Sequence, residues 1–259
     1  MPEVFLETVS RTRIVTLNRP EARNALTRAV VTGVRDAVED AAQDRAVRCV
    51  ILTGAGEHFC AGADLRKNLA DDPDLLAHLE QYLDEYHGLV RAIVRCPKPT
   101  LAALDGCAVG FGADLALACD LRVATPSAYI QEKFVKIGLM PDGGGTFWLP
   151  RLVGTARALR WMLLGEQIEA PELASLGLVM TLASRETLRD TALGIARTLE
   201  EGPPLAYARI KDATYADLGD LEGALRRERE GQLALLRSRD GMEGILAWAE
   251  KRAPRFEGE

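Results

Sequence analysis

Two short segments of this chain carry the residues that let a backbone approach a ligand closely. They are His58-Phe59-Cys60-Ala61-Gly62-Ala63-Asp64-Leu65 and Gly106-Cys107-Ala108-Val109-Gly110-Phe111-Gly112-Ala113-Asp114-Leu115. Glycine and alanine leave the main chain uncovered, so its N–H groups can face outward. The second segment also opens a helix, whose first amides lack internal acceptors and carry the positive end of the dipole. Two such donors on one oxygen would stabilise an enolate or a tetrahedral oxyanion; a single donor of this kind is worth roughly 2.7–4 kcal/mol in the transition state. Glycines that merely let strands and helices pack would account for either segment alone, but not for both with these flanks.

Other chemistries find no support. Gly54-Ala55-Gly56 follows a strand, but Phe59 stands where a dinucleotide fingerprint needs glycine. The three histidines, His58, His78 and His87, are scattered without metal-ligand spacing, and there is no G-x-S-x-G nucleophile elbow.

The elements that must hold these residues alternate. Val4 to Val9 and Arg13 to Leu17 predict two strands joined by a turn at Ser10-Arg11-Thr12, and Thr27 caps a helix to about Gln43. Arg48 to Thr53, Thr100 to Leu104 and Asp120 to Ala124 predict strands, the first two of them continuous apolar runs of a buried parallel sheet. Helices are predicted from about Pro73 to Cys96 and from Ala113 to Ala118. After about residue 155 only helices are predicted, with caps or breaks at Thr155, Pro171, Pro203-Pro204 and Asp240. The class is α/β. The expected division is an α/β core over 1–195, carrying the site, and a helical region over 196–259 that covers the site and mediates oligomerisation.

Composition sets wide bounds. The 259 residues are 47% hydrophobic and 27% charged, with a formal charge of −6; the acidity argues against a nucleic-acid partner. Cys49, Cys60, Cys96, Cys107 and Cys119 are odd in number and include no CxxC pair, as for buried free thiols in a reducing compartment. Neither a signal-peptide pattern at the start nor an apolar run of bilayer length is seen, so a cytoplasmic protein is expected.

Five stretches together resemble the enoyl-CoA hydratase/isomerase (crotonase) family over essentially the whole chain. They are RPEARNAL (Arg19 to Leu26), GEHFCAGADL (Gly56 to Leu65), DGCAVGFGADLALACDLRVA (Asp105 to Ala124), IGLMPDGGGTFWLPRLVG (Ile137 to Gly154) and KRAPRFEG (Lys251 to Gly258), in the family's order and approximate spacing. The resemblance implies a crotonase-like (ClpP/crotonase) core of repeated ββα units. It also implies a homotrimer or a dimer of trimers, with no metal and no cofactor beyond the coenzyme A carried by the substrate. By position, the oxyanion amides fall on Ala63 and Phe111, the latter often glycine in the family. The CoA and substrate contacts fall on Arg23, Ala61, Gly62, Asp64, Leu65, Gly110 and Lys251, the last beside Arg252 in a cationic patch. Hydratases of the family use two glutamates; Asp114 occupies the first position and Phe134 the second, with Glu132 two residues away. Asp142 stands where certain isomerases of the family and a dehalogenase carry a carboxylate. An unsaturated acyl-CoA thioester is therefore the expected substrate, with Asp114 and Asp142 as the catalytic pair and double-bond isomerisation as the leading reaction. Hydration of the 2,3 double bond and non-catalytic acyl-CoA binding are the alternatives.

Overall fold

The structure, a computed structural model, describes residues 2–72, 74, 77–217 and 220–257. Strands β1 (Val4–Val9), β2 (Thr12–Leu17), β3 (Cys49–Gly54), β4 (Thr100–Leu104), β6 (Leu121–Ala124) and β9 (Thr181–Leu182) form one sheet in the order β1-β2-β3-β4-β6-β9. Only the β1–β2 pair is antiparallel. A small second sheet pairs β5 (Cys107–Val109) parallel to β7 (Tyr129–Gln131), and β7 antiparallel to β8 (Gln167–Glu169).

Side chains alternate across a strand, and both faces of the large sheet are covered. Val50 and Leu52 of β3 enter the main core, while Cys49 and Ile51 enter a second core. The second core is closed by Leu188, Ala192, Leu193 and Ala196 of α8 (Arg185–Glu201). On the main face, α1 (Arg28–Gln43) presents an apolar stripe of Val30, Val31, Val34, Ala37, Val38 and Ala41, and Thr27 caps it by accepting from the Val30 N–H at 3.2 Å. Against α1 pack α3 (Leu79–Arg95) and then α10 (Leu221–Leu236), the latter also touching α5 (Gly145–Val153). The remaining helices are α2 (Leu65–Asp71), α4 (Phe111–Ala118), α6 (Thr155–Leu164), α7 (Ala170–Ser175), α9 (Pro204–Asp217) and α11 (Arg239–Ala249).

Three sequence expectations are corrected. The part after residue 155 is not helical throughout, because it contributes β8 and β9; at three and two residues these strands are too short to show an alternating pattern. The helix expected from about Pro73 begins at Leu79, and Pro73 itself lies outside the described residues. An unanticipated helix, α2, occupies Leu65–Asp71 because the Asp64 side chain accepts from the Lys67 N–H and caps it. Among the described residues no helix is long and apolar enough to cross a membrane.

Candidate active site

The two small-residue segments lie side by side. The Cys60 N–H donates to the Cys107 carbonyl at 2.9 Å, and the Val109 N–H donates back to the Cys60 carbonyl at 2.9 Å. That bridge allows almost no room between the chains. A Cβ on Gly112 would stand 2.5 Å from the Cys60 carbonyl oxygen, and one on Gly62 would stand 2.7 Å from that of Val109 and 3.6 Å from the Phe111 nitrogen. Gly62 also has φ +88, which side chains disfavour. Ala63 follows at this junction and Phe111 opens α4, and both border one cavity of about 390 Å³. Among the described residues neither the Ala63 nor the Phe111 N–H donates to another protein group. The phenyl ring of Phe111 is buried edge-on against Tyr86, at 4.7 Å between centroids, so a side chain replaces a common glycine here without blocking its own amide.

Asp142 borders the same cavity. Its Oδ2 accepts from Gln232 Nε2 at 2.8 Å, its carbonyl accepts from His87 Nε2 at 2.8 Å, and Oδ1 is buried without a partner. Burial raises the Asp142 carboxyl to about 7; Gln232 pulls it down and the charge of Glu228 pushes it up.

Asp114 does not join it at the cavity. Its side chain is fully buried behind the wall, where Oδ2 accepts from the Gly143 N–H at 3.0 Å and Oδ1 has no partner. Glu132 is also buried away from the cavity, with both oxygens unpartnered. Glu132 does not stand in for Phe134: in an extended segment residues two apart would share a face, but the chain leaves β7 and enters a 3-10 turn at Phe134–Ile137, so Phe134 borders the cavity and Glu132 does not. Asp114 Oδ1 and Glu132 Oε1 approach the same spot, 2.8 and 3.1 Å from where a Cβ on Gly145 would stand. Burial, and then the charges of neighbouring acids, holds both carboxyls well above the usual range.

The sequence reading missed a fourth acid. Glu228 of α10 accepts from the Gly144 N–H at 2.7 Å and the Thr146 N–H at 2.9 Å, and burial raises it to about 7. Gln232 lies one turn further along the same helix. The available signal was two polar residues on the apolar stripe that includes Leu225, Leu233 and Leu236. The aromatic wall was missed too: Tyr82, Tyr86 and Phe134 border the cavity, and the two tyrosine hydroxyls bond each other at 2.8 Å.

Of the proposed CoA contacts, Arg23, Ala61, Gly62, Leu65 and Gly110 border the cavity, and Lys133 joins them. Asp64 does not; besides capping α2 it pairs with Arg19 at 2.9 Å. Lys251 is exposed and does not border the cavity of its own chain, and Arg252 is engaged by Glu243 and Glu250. No group of three or more His, Cys, Asp or Glu side chains among the described residues is arranged to hold a metal ion.

An αβ frame with two uncovered amides and a carboxylate on one apolar cavity is the outline of an acyl-thioester enzyme, and the comparisons agree. The family pattern described as enoyl-CoA hydratase/isomerase matches residues 8–259. A Rhodobacter capsulatus protein named "Probable enoyl-CoA hydratase" is 41% identical over 246 residues, covering 95% of this chain and 94% of its own. The 1,2-epoxyphenylacetyl-CoA isomerase of Escherichia coli is 39% identical over 249 residues, 94% of each chain. A crystal structure of an enoyl-CoA hydratase from Mycobacterium avium subsp. paratuberculosis superposes with a TM-score of 0.87 at 36% identity, covering 98% of both chains. The chain therefore belongs to the enoyl-CoA hydratase/isomerase family, with the crotonase fold. It is an enzyme of that family, acting on acyl-CoA.

Proposed function

We propose that this enzyme moves a double bond along an unsaturated acyl-CoA thioester, with Asp142 as the base. Asp142 takes a proton from the carbon next to the thioester carbonyl. The C–H electron pair becomes the enolate, whose oxygen lies between the Ala63 and Phe111 N–H groups. When the same carboxyl returns the proton two carbons further along, the electrons flow back and leave the double bond conjugated with the carbonyl. The observation that carries this reading is that, among the described residues, Asp142 alone places a carboxylate on the cavity. Activating water calls for two positioned carboxylates, and Asp114 and Glu132 both lie behind the wall.

The reading extends to the rest of the molecule. Residues 1–195 supply the amides and Asp142, while Gln232, Leu236, Ile245 and Trp248 of 196–259 close the cavity from the other side. Exposed Leu159 and Leu163 on α6 support association between copies, for which the family resemblance implies a homotrimer or dimer of trimers. Five unpaired, buried cysteines support a reducing, cytoplasmic setting.

The test uses a panel of β,γ- and α,β-enoyl-CoA thioesters in deuterated water. Deuterium uptake and double-bond migration without a hydroxyacyl product are expected. Asp142→Asn should lower turnover by about 10²–10⁴ while thioester binding persists. Steady formation of a 3-hydroxyacyl-CoA by the wild type would overturn the reading in favour of hydration.

A further inference from the structure

We infer that Gln232 is the positioning residue for Asp142: it occupies one carboxylate oxygen and leaves the other as the oxygen that carries the proton, while Glu228, one turn earlier on α10, ties down the loop that follows Asp142. The inference rests on the assignment of Asp142 as the base.

The bonding along residues 140–146 carries it. Gln232 spends both ends of its amide on this segment: Oε1 accepts from the Met140 N–H at 3.2 Å, and Nε2 donates to Asp142 Oδ2 at 2.8 Å. It thus straddles Pro141 and fixes the carboxylate relative to the main chain before it. The segment after Asp142 is tied as closely, by Asp114 at Gly143 and by Glu228 at Gly144 and Thr146. His87 of α3 holds the Asp142 carbonyl. Among the described residues, Asp142 Oδ1 is the unpartnered buried side-chain oxygen that belongs to a residue of the cavity wall. A carboxylate with one oxygen committed and one free has a defined direction of proton transfer, and a small misplacement of the reacting atoms costs orders of magnitude.

A residue that only fills space would not alter the titration of its neighbour. Gln232 donates to the charged form of Asp142 and so holds its pKa down against burial. Other groups facing Asp142 are His87, Tyr82 and Tyr86 from α3, Asp114 from α4, Glu132 after β7 and Glu228 from α10; Arg23 and Lys133 border the same cavity. None of these is changed by a substitution at 232. Removing the donor should therefore shift the acid limb of kcat/KM to higher pH.

The test follows deuterium exchange into an enoyl-CoA thioester against pH for wild type, Gln232→Met, Gln232→Glu and Asp142→Asn. Gln232→Glu is nearly isosteric, so it reports even if the Met variant fails to fold; it sets a second acid beside Asp142, which also raises the pair. Both variants should keep KM within about twofold, lose on the order of 10–10² in kcat, and move the acid limb up by about one pH unit. If Asp142→Asn is inactive and the limb of the folded Gln232 variants stays where the wild type has it, the inference is overturned. Full turnover by Asp142→Asn would instead remove the base assignment beneath it.

Discussion

At the residue scale the site's behaviour follows from how many acids it buries. Burial brings Asp142 to about 7 in the free enzyme, and only its carboxylate can accept a proton, so kcat/KM for isomerisation should rise with pH through about 7 and then level. A kcat/KM profile flat from pH 5.5 to 8.5 would contradict this. Four raised carboxyls also make stability depend on pH. A carboxyl whose folded pKa is raised stabilises the fold below its unfolded value, and loses that contribution as pH rises through the folded pKa. His87, held neutral by burial at about 4, acts oppositely and costs stability only as pH falls below its unfolded value near 6.5. Above about pH 6.5 the acids act, joined toward pH 8.5 by the thiols of Cys49, Cys60 and Cys119, which burial pushes up to about 12, and melting temperature should fall toward pH 8.5. Glu132→Gln removes one of them, an acid with no partner and no place on the cavity. It should make the fall in melting temperature with pH shallower while leaving kcat within about twofold. Melting curves at pH 6.5, 7.5 and 8.5 for the two proteins test the sign, and parallel curves would show that folding does not protonate Glu132 in this range.

At the scale of elements the site depends on how closely two loops can lie. Gly112 has ordinary helical backbone, so alanine there meets no torsional penalty, only Cys60, whose carbonyl oxygen, Cβ and Sγ would stand 2.5, 2.8 and 2.9 Å away. That oxygen is main chain and accepts the Val109 N–H, so it cannot swing aside. Gly112→Ala should cost about 1–3 kcal/mol of stability and lower kcat by separating the Ala63 and Phe111 amides; unchanged kcat in a folded variant would detach those amides from the chemistry. A second joint lies at the cavity mouth. Arg66 of α2 donates to the Ala249 carbonyl at 3.0 Å and sits 5.6 Å from the centre of the Trp248 ring. Leu65 and Leu69 of α2, with Ile245 and Trp248 of α11, border the cavity there. Arg66→Ala should therefore raise KM by about 2–5-fold with little change in kcat, as steady-state kinetics would show. Much of this was legible in the chain. Gly62 and Gly112 announced where backbone must come close, Gly110 announced a positive φ at the start of α4, Thr27 announced α1, and Asp142 announced a carboxylate. The cavity wall was not legible, because Tyr82, Tyr86 and Gln232 come from helices far along the chain and look like ordinary core residues in their own segments. Nor could spacing tell that Asp114, on the correct helical turn, would be drawn back to the Gly143 N–H. One methylene less than glutamate, and a loop N–H within reach, decide that in three dimensions.

For the whole molecule the open question is what covers α6. Leu159 and Leu163, one helical turn apart, are 46% and 65% exposed, and Leu152 of the adjoining α5 is 39% exposed. Three leucines on neighbouring helices form a face that water covers at a cost of about 25 cal/mol per Å², and a neighbouring copy would remove that cost. Light scattering should give three or six chain masses for the wild type, and a lower mass for Leu159→Glu/Leu163→Glu, since a charge in a buried contact is unfavourable. Assembly also bears on Lys251. Lys251 is exposed and does not border the cavity of its own chain, although its N–H donates at 3.2 Å to the carbonyl of Trp248, which does. A contact to the anionic end of CoA bound by a neighbouring copy is the case to test. Lys251→Ala should then raise KM for the assembled enzyme by about 2–5-fold, as expected for one partly exposed charge contact, and leave KM unchanged in the dissociated double variant. An equal effect in both forms would place Lys251 on the ligand of its own chain, and no effect in either would leave it a solvated surface charge.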